Sequence, residues 1–235
     1  MKIKLFTIPN CITLANLLCG IFSIISSLIY NDLELAFVMI IASAVCDFCD
    51  GFSARLLKQY SAVGVQLDSL ADMVSFGVAP AVAMAVLCGD MPSVFGLNDS
   101  WCEALCYIPL VIAAFSALRL AKFNIDETQK EEFEGLPTPA AAILCVSLAA
   151  ICEREGLIIG VEWLVMMSVL VAALLISPIR MFSFKFKSWR WADNNVRYIF
   201  LVASILALAL LGLLSIPFII VSYVAVSAVS WMLKK

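Results

Sequence analysis

Long apolar runs broken by short polar links make up the chain from end to end. The runs predict eight membrane-spanning helices, at residues 11–30, 33–54, 66–89, 103–122, 137–152, 157–179, 196–213 and 215–233. Several reach the ~20 apolar residues that a bilayer core requires. The run at 137–152 is short, and the one at 215–233 follows a turn expected at Ser215-Ile216-Pro217. With no internal repeat, low-complexity tract or soluble segment between them, residues 1–235 read as a single membrane-embedded domain.

Composition turns the pattern into a fold class. Hydrophobic residues make up 63% of the chain and charged residues 14%, against roughly 45–50% and about 25% in soluble domains. So few charges cannot cover so much apolar surface in water, which leaves an all-α integral membrane protein. With the N-terminus placed in the cytoplasm, every Lys and Arg except Arg154 falls at a cytoplasmic end or loop, and the C-terminus lies on the same side. The opposite loops lean acidic, at Asp32, Asp90, Asp99 and Glu103. A multi-pass protein of the inner membrane is the expectation. The N-terminal "MKIKLFTIPN" is like a signal n-region, but the first span has no small-x-small cleavage site and is expected to be retained. A net charge of −3 offers no basic surface to nucleic acid, and the run "RMFSFKFKSWRW" reads as an anchor to anionic lipid headgroups.

Missing residue types narrow the chemistry. The chain has no histidine, which excludes a Ser-His-Asp triad and any histidine base. Cys46 and Cys49 form a lone C-x-x-C, too few ligands for a tetrahedral zinc site without histidine or a second pair. The nine cysteines read as small buried hydrophobes. Carboxylates, metal ions, hydroxyls or amines must therefore carry any reaction.

The stretch "DFCDGFSARLLKQYSAVGVQLDSLAD", residues 47–72, supplies the carboxylates. An ionised Asp in a span costs roughly 2.5–3.5 kcal/mol on insertion scales, yet Asp47, Asp50, Asp68 and Asp72 stand there at regular intervals. At 3.6 residues per turn Asp47, Asp50, Gly51 and Ala54 share a helix face, as do Asp68 and Asp72 on the next helix. A short cytoplasmic link joins the two, so the acid pairs can converge at the inner leaflet. Bare carboxylates so placed would repel one another. Two divalent cations with hard oxygen ligands, Mg²⁺ or Mn²⁺, relieve that repulsion and point to a diphosphate substrate, with Arg55 as a further cation. Gly51, Ala54 and Gly64 leave room for close approach. Pairing of the acids with Arg55 and Lys58 in a solvated loop accounts for one or two of them, not for Asp47, Asp68 and Asp72 within apolar helical sequence.

Asp47-x-x-Asp50-Gly51-x-x-Ala54-Arg55 followed by Gly64-x-x-x-Asp68-x-x-x-Asp72 resembles the signature of the CDP-alcohol phosphotransferase family at every fixed position. The resemblance implies a helical membrane fold, usually a homodimer, that holds two divalent metals and displaces CMP from a CDP-linked lipid with an alcohol. It assigns Asp47, Asp50, Asp68 and Asp72 as metal ligands and Asp72 also as general base. Gly51, Ala54, Arg55 and Gly64 would line the CDP pocket.

"IPNCITLANLLCG", "DSLADMVSFGVAPA", "RLAKFN" and "FEGLPTPAAA" are similar to the phosphatidylserine synthase branch of that family, and together cover much of residues 8–142. By resemblance the substrates are CDP-diacylglycerol and L-serine, with membrane lipid as the surroundings and residues 119–142 as the acceptor region. Asn10, Thr13 and Asn16 have two readings, contact with the CDP moiety or interhelical hydrogen bonds. Arg119 either binds phosphate or the serine carboxylate, or snorkels to headgroups. Pro137 and Thr138 open a helix whose N–H groups could meet the same carboxylate, or simply start the helix. Lys185 is by default a lipid anchor, with a substrate phosphate as its alternative partner. One rival reading keeps the family and changes the acceptor to glycerol 3-phosphate or inositol phosphate, for which residues 119–142 offer few extra cations. The other is a cation transporter, in which Gly51, Ala54, Arg55 and Gly64 would have no purpose.

Overall fold

The computed structural model describes residues 5–125, 133–181 and 191–233. Eight helices make up most of these: α1 (Ile8–Tyr30), α2 (Leu33–Leu57), α3 (Ala62–Asp90), α4 (Asp99–Ile125), α5 (Thr138–Glu155), α6 (Val161–Leu175), α7 (Trp191–Leu211) and α8 (Ser215–Leu233). Their ends fall within a few residues of the expected spans. Among the described residues, α1, α2, α3, α4 and the joined run Arg197–Leu233 are long and apolar enough to cross a membrane, while α6 is apolar but shorter. The strands among the described residues are β1 (Phe133–Glu134) and β2 (Arg180–Met181), which pair antiparallel.

The protein is an all-helical membrane protein turned inside out relative to a soluble bundle. Large apolar side chains such as Phe48, Phe52, Leu70, Ile205 and Leu210 point outward, as lipid-facing surface does. The buried face of α1 is instead Pro9, Asn10, Thr13, Asn16, Gly20 and Ser23. Small side chains let backbones approach closely without a hydrophobic driving force. Gly20 shows the limit, because a Cβ there would strike the backbone and side chain of Ser75. Ser23 Oγ on α1 donates to the Ala36 carbonyl of α2 at 3.0 Å. α5 runs through the middle with Ala141, Ala142, Val146, Ala149 and Ala150 buried, packed on α2, α3 and α8. α7 lies at the edge, against α8.

One expectation is corrected. The break before α8 is a 3-10 turn at Gly212–Leu214, where Gly212 takes φ 53°. Ser215-Ile216-Pro217 is already the first turn of α8. Proline suits that position, because the first N–H groups of a helix have no intrahelical acceptor to lose. Two π-helical turns have no counterpart in the hydropathy pattern. One closes α1 at Ser26–Tyr30, and the other, Met73–Val78, begins immediately after Asp72.

Candidate active site

The site forms where α2 ends and α3 begins. α2 stops at Lys58, which turns left-handed at φ 52° and returns its N–H to the carbonyls of Ala54 and Arg55. Ser61 then caps α3 by accepting from Gly64 N at 2.9 Å. This tight reversal faces the last turns of α2 toward the first turns of α3. A carboxylate oxygen from each of Asp47, Asp50 and Asp68 lies within 4.8 Å of the others. Asp50 is buried and the other two are half-buried. Asp72, one turn beyond Asp68, is outside that trio, although it lies within electrostatic reach of Asp47, Asp68 and Asp50.

The polar stripe of α1 holds these acids in place. Thr13 Oγ1 donates to Asp50 Oδ2 at 2.6 Å, and Asn16 Nδ2 donates to Asp72 Oδ1 at 3.2 Å. Hydrogen bonds to charged groups are worth about 1.5–3 kcal/mol each. Asn16 is itself fixed, since Ser43 Oγ donates to its Oδ1 and Ser75 Oγ to its carbonyl at 3.0 Å. The π-turn of α3 is what brings Ser75 against α1 just past Asp72. Thr13 and Asn16 thus make the interhelical hydrogen bonds that are one of their two readings.

No ion pair among the described residues neutralises the trio. The pairs found there are Lys122–Glu134 at 2.8 Å and Arg154–Glu155 at 3.8 Å. Three converging carboxylates are an all-oxygen donor set, which suits a hard divalent ion, so the trio can hold a metal.

Beside the acids a cavity of about 320 Å³ opens, of the size that takes a small molecule, lined by Asn10, Thr13, Asp50, Gly51, Ala54, Arg55, Gly64 and Asp68 together with Pro9, Gln59, Tyr60, Ser61 and Val65. Every residue expected to face CDP is on this wall except Asn16, which is fully buried behind the acids. Gly51 has nothing within 4 Å of where a Cβ would stand, so its openness serves the cavity rather than helix packing. At Gly64 a Cβ would come within 3.1 Å of Asn10 Oδ1. Sequence reasoning missed Gln59, Tyr60 and Ser61. The available signal was their place in the polar link between the acid pairs, which the reversal at Lys58 folds over the opening.

Arg119 of α4 meets the start of α5, at Pro137 and Thr138. Arg119 is buried, at 8% exposure, and Asp72 lies within its electrostatic reach. Its Nη1 donates to Thr138 Oγ1 at 3.4 Å, while its Nε has no partner. Burial excludes the snorkelling alternative for this arginine. Pro137 precedes the first turn of α5 and Thr138 begins it. The β1–β2 clasp secures that start: Gly135 N donates to the Ile179 carbonyl and Leu136 N to that of Leu174, both at 2.9 Å. Gly135 adopts φ 76°, and a Cβ there would collide with the Leu175 carbonyl. Lys185 lies outside the described residues.

The sequence model of the CDP-alcohol phosphatidyltransferase family matches residues 6–179. Three similar relatives carry the name CDP-diacylglycerol–serine O-phosphatidyltransferase. The one from Helicobacter pylori is 33% identical over 208 residues, covering 87% of this chain and 81% of its own. The one from Bacillus subtilis is 37% identical over 143 residues, covering 60% and 75%. The archaeal one, from Methanocaldococcus jannaschii, is 31% identical over 210 residues, covering 89% and 86%.

Proposed function

The chain belongs to the CDP-alcohol phosphatidyltransferase family, and from that membership we propose that it transfers the phosphatidyl group of CDP-diacylglycerol to the hydroxyl of L-serine, giving phosphatidylserine and CMP. The observation that carries this reading is the convergence of Asp47, Asp50 and Asp68 on the rim of a cavity walled by Gly51, Ala54, Arg55 and Gly64. The names of the relatives support serine as the acceptor.

In this reading Asp47, Asp50, Asp68 and Asp72 hold two divalent ions, Mg²⁺ or Mn²⁺, which when bound supply positive charge at the diphosphate oxygens. Gly51, Ala54 and Gly64 leave the space in which the nucleotide lies, and Arg55 at the cavity wall offsets phosphate charge. Asn10 and Thr13 stand on the same wall. Asn16 holds one oxygen of Asp72, and the carboxylate takes the proton of the serine hydroxyl as that oxygen attacks the lipid-side phosphorus. The new O–P bond forms while the bridging P–O bond breaks, and CMP leaves with the electron pair. General-base assistance of this kind is worth about 10²–10⁴-fold. Arg119, Pro137 and Thr138 bound the side from which the acceptor arrives.

Residues 1–235 act as one membrane-embedded domain, working as a homodimer in the inner membrane with the acids at its cytoplasmic face. That orientation follows from the clustering of Lys and Arg at one end of the helices, and it lets cytosolic serine meet a lipid-borne diphosphate. The deciding assay offers CDP-diacylglycerol and Mn²⁺ or Mg²⁺ to the purified protein with L-serine, glycerol 3-phosphate or inositol phosphate. CMP release with serine is the expected result. Release with either phosphorylated acceptor but not with serine overturns the assignment.

A further inference from the structure

A serine hydroxyl inside an apolar helix can donate to a carbonyl of its own preceding turn. Ser27 does so to the carbonyl of Ser23, Ser168 to that of Leu164 and Ser204 to that of Phe200. Ser43 and Ser75 do otherwise. Both are fully buried, one on α2 and one on α3, and both reach across to the same residue of α1, Asn16. Ser43 Oγ donates to Asn16 Oδ1, with the Asn16 carbonyl at 3.3 Å as a second acceptor. Ser75 Oγ donates to that carbonyl at 3.0 Å. Two hydroxyls from two helices therefore hold one asparagine, whose remaining polar end meets Asp72.

The two serines do different jobs. Ser75 pins the backbone of Asn16, and it gets there because the π-turn after Asp72 swings it toward α1, where Gly20 has no Cβ to obstruct it. Ser43 pins the side chain. The terminal torsion of an asparagine is broad and roughly two-fold, so the carboxamide needs a partner at each end to stand in one place. With Oδ1 held by Ser43, Nδ2 is fixed against Asp72 and donates to its Oδ1 at 3.2 Å. The buried face of α2 runs Leu33, Ala36 and Ile40, then turns polar at Ser43, one turn before Asp47. Close packing alone does not ask for a hydroxyl there, since α5 packs through Ala141, Ala142, Ala149 and Ala150.

We propose that Ser43 is a positioning residue for the phosphatidyl transfer: acting through Asn16, it fixes Asp72 Oδ1 so that the other carboxylate oxygen is aimed at the acceptor's hydroxyl. This rests on the proposed role of Asp72 as base, and it extends the site to a residue four positions before the first aspartate of the signature. Ser43 touches neither substrate nor reacting atom. Its effect is geometric, because a displacement of about 1 Å at a reacting group can cost about 10²-fold in rate. Without its hydroxyl, Asn16 Oδ1 is left buried and unmet, and the carboxamide that steadies Asp72 is held at one end only.

The test uses the full-length protein in detergent with CDP-diacylglycerol, L-serine and saturating Mn²⁺. Ser43→Ala should lower kcat about 10- to 100-fold while KM for serine and for CDP-diacylglycerol stays unchanged, as when an interaction matters chiefly in the transition state. Ser43→Cys keeps the size but donates weakly, and should fall between, about 3- to 10-fold below the original; it also stands in if Ser43→Ala does not elute as a single species. Asn16→Ala should lower kcat at least as far as Ser43→Ala does, and the double variant no further than Asn16→Ala alone, because the serine acts only through the asparagine. Ser168→Ala, which deletes an equally buried hydroxyl that donates to its own helix, should stay within about twofold of the original. Unchanged turnover in Ser43→Ala, full turnover in Ser43→Cys, or losses that multiply in the double variant overturn the role of Ser43 and leave serine transfer standing. No CMP release with serine in the unsubstituted protein overturns both.

Discussion

Acidic side chains at the two ends of the helix bundle live under opposite conditions. At the end away from the site, several acids are taken up by the chain's own donors. Glu162 accepts from Ser93 Oγ at 2.5 Å and from the N–H groups of Val94 and Phe95 at 3.2 Å, tying the 91–98 loop to α6. Asp32 caps α2 through Leu35 N at 2.7 Å, and Glu153 reaches across from α5 to Glu34 N at 2.8 Å. These carboxylates meet the positive end of a helix dipole or an exposed loop amide, and they close the architecture. At the site end, Asp47, Asp50 and Asp68 crowd one another within 4.8 Å, and the hydrogen bonds from Thr13 and Asn16 orient Asp50 and Asp72 without neutralising them. The contrast separates acids that finish a fold from acids left able to hold a metal ion.

Substitutions at each end test that separation. The largest effect belongs to Asp72→Asn, which should cut CMP release by about 10²–10⁴-fold while the protein still inserts and elutes normally from a sizing column. Turnover near the original rate would remove Asp72 as the base. Thr13→Val deletes the donor to Asp50 while conserving shape, and should lower metal affinity or activity about 10- to 100-fold, as loss of a ligand's supporting hydrogen bond commonly does. Titrating Mn²⁺ against CMP release would read this, and recovery at high metal concentration distinguishes weakened binding from misfolding. At the far end, Glu162→Gln should lower the thermal midpoint by a few degrees with turnover unchanged. A loss of activity there would show that the loop it anchors communicates with the site. The smallest change expected is Asp32→Ala, about 1 kcal/mol from a lost N-cap, visible in thermal unfolding alone.

Much of this contrast is legible in the order of residues. Spacings of three and four put Asp47 with Asp50, and Asp68 with Asp72, because a helix face is a local property of the chain. The same regularity leads from Gly51, Ala54, Arg55 and Gly64 to one cavity wall. Asn16 is legible as polar but not in its orientation, since its burial behind the acids depends on Ser43 and Ser75 arriving from two other helices. The break at Gly212–Leu214 escapes the pattern because proline marks both the end of a turn and the beginning of a helix. Neither π-turn has a signature in hydropathy.

Residue order alone determined that the chain lives in a bilayer, roughly where its helices lie, and which acids share a helix face. Those features arise from interactions within a few residues, and from a solvent that sorts side chains by polarity. Only the packed bundle decided that Asp72 stands beside rather than within the closest trio. It alone left Arg119, buried beside the start of α5, with an unmet Nε. Such meetings join residues from different helices. They depend on which helix lies against which, and no local pattern records that.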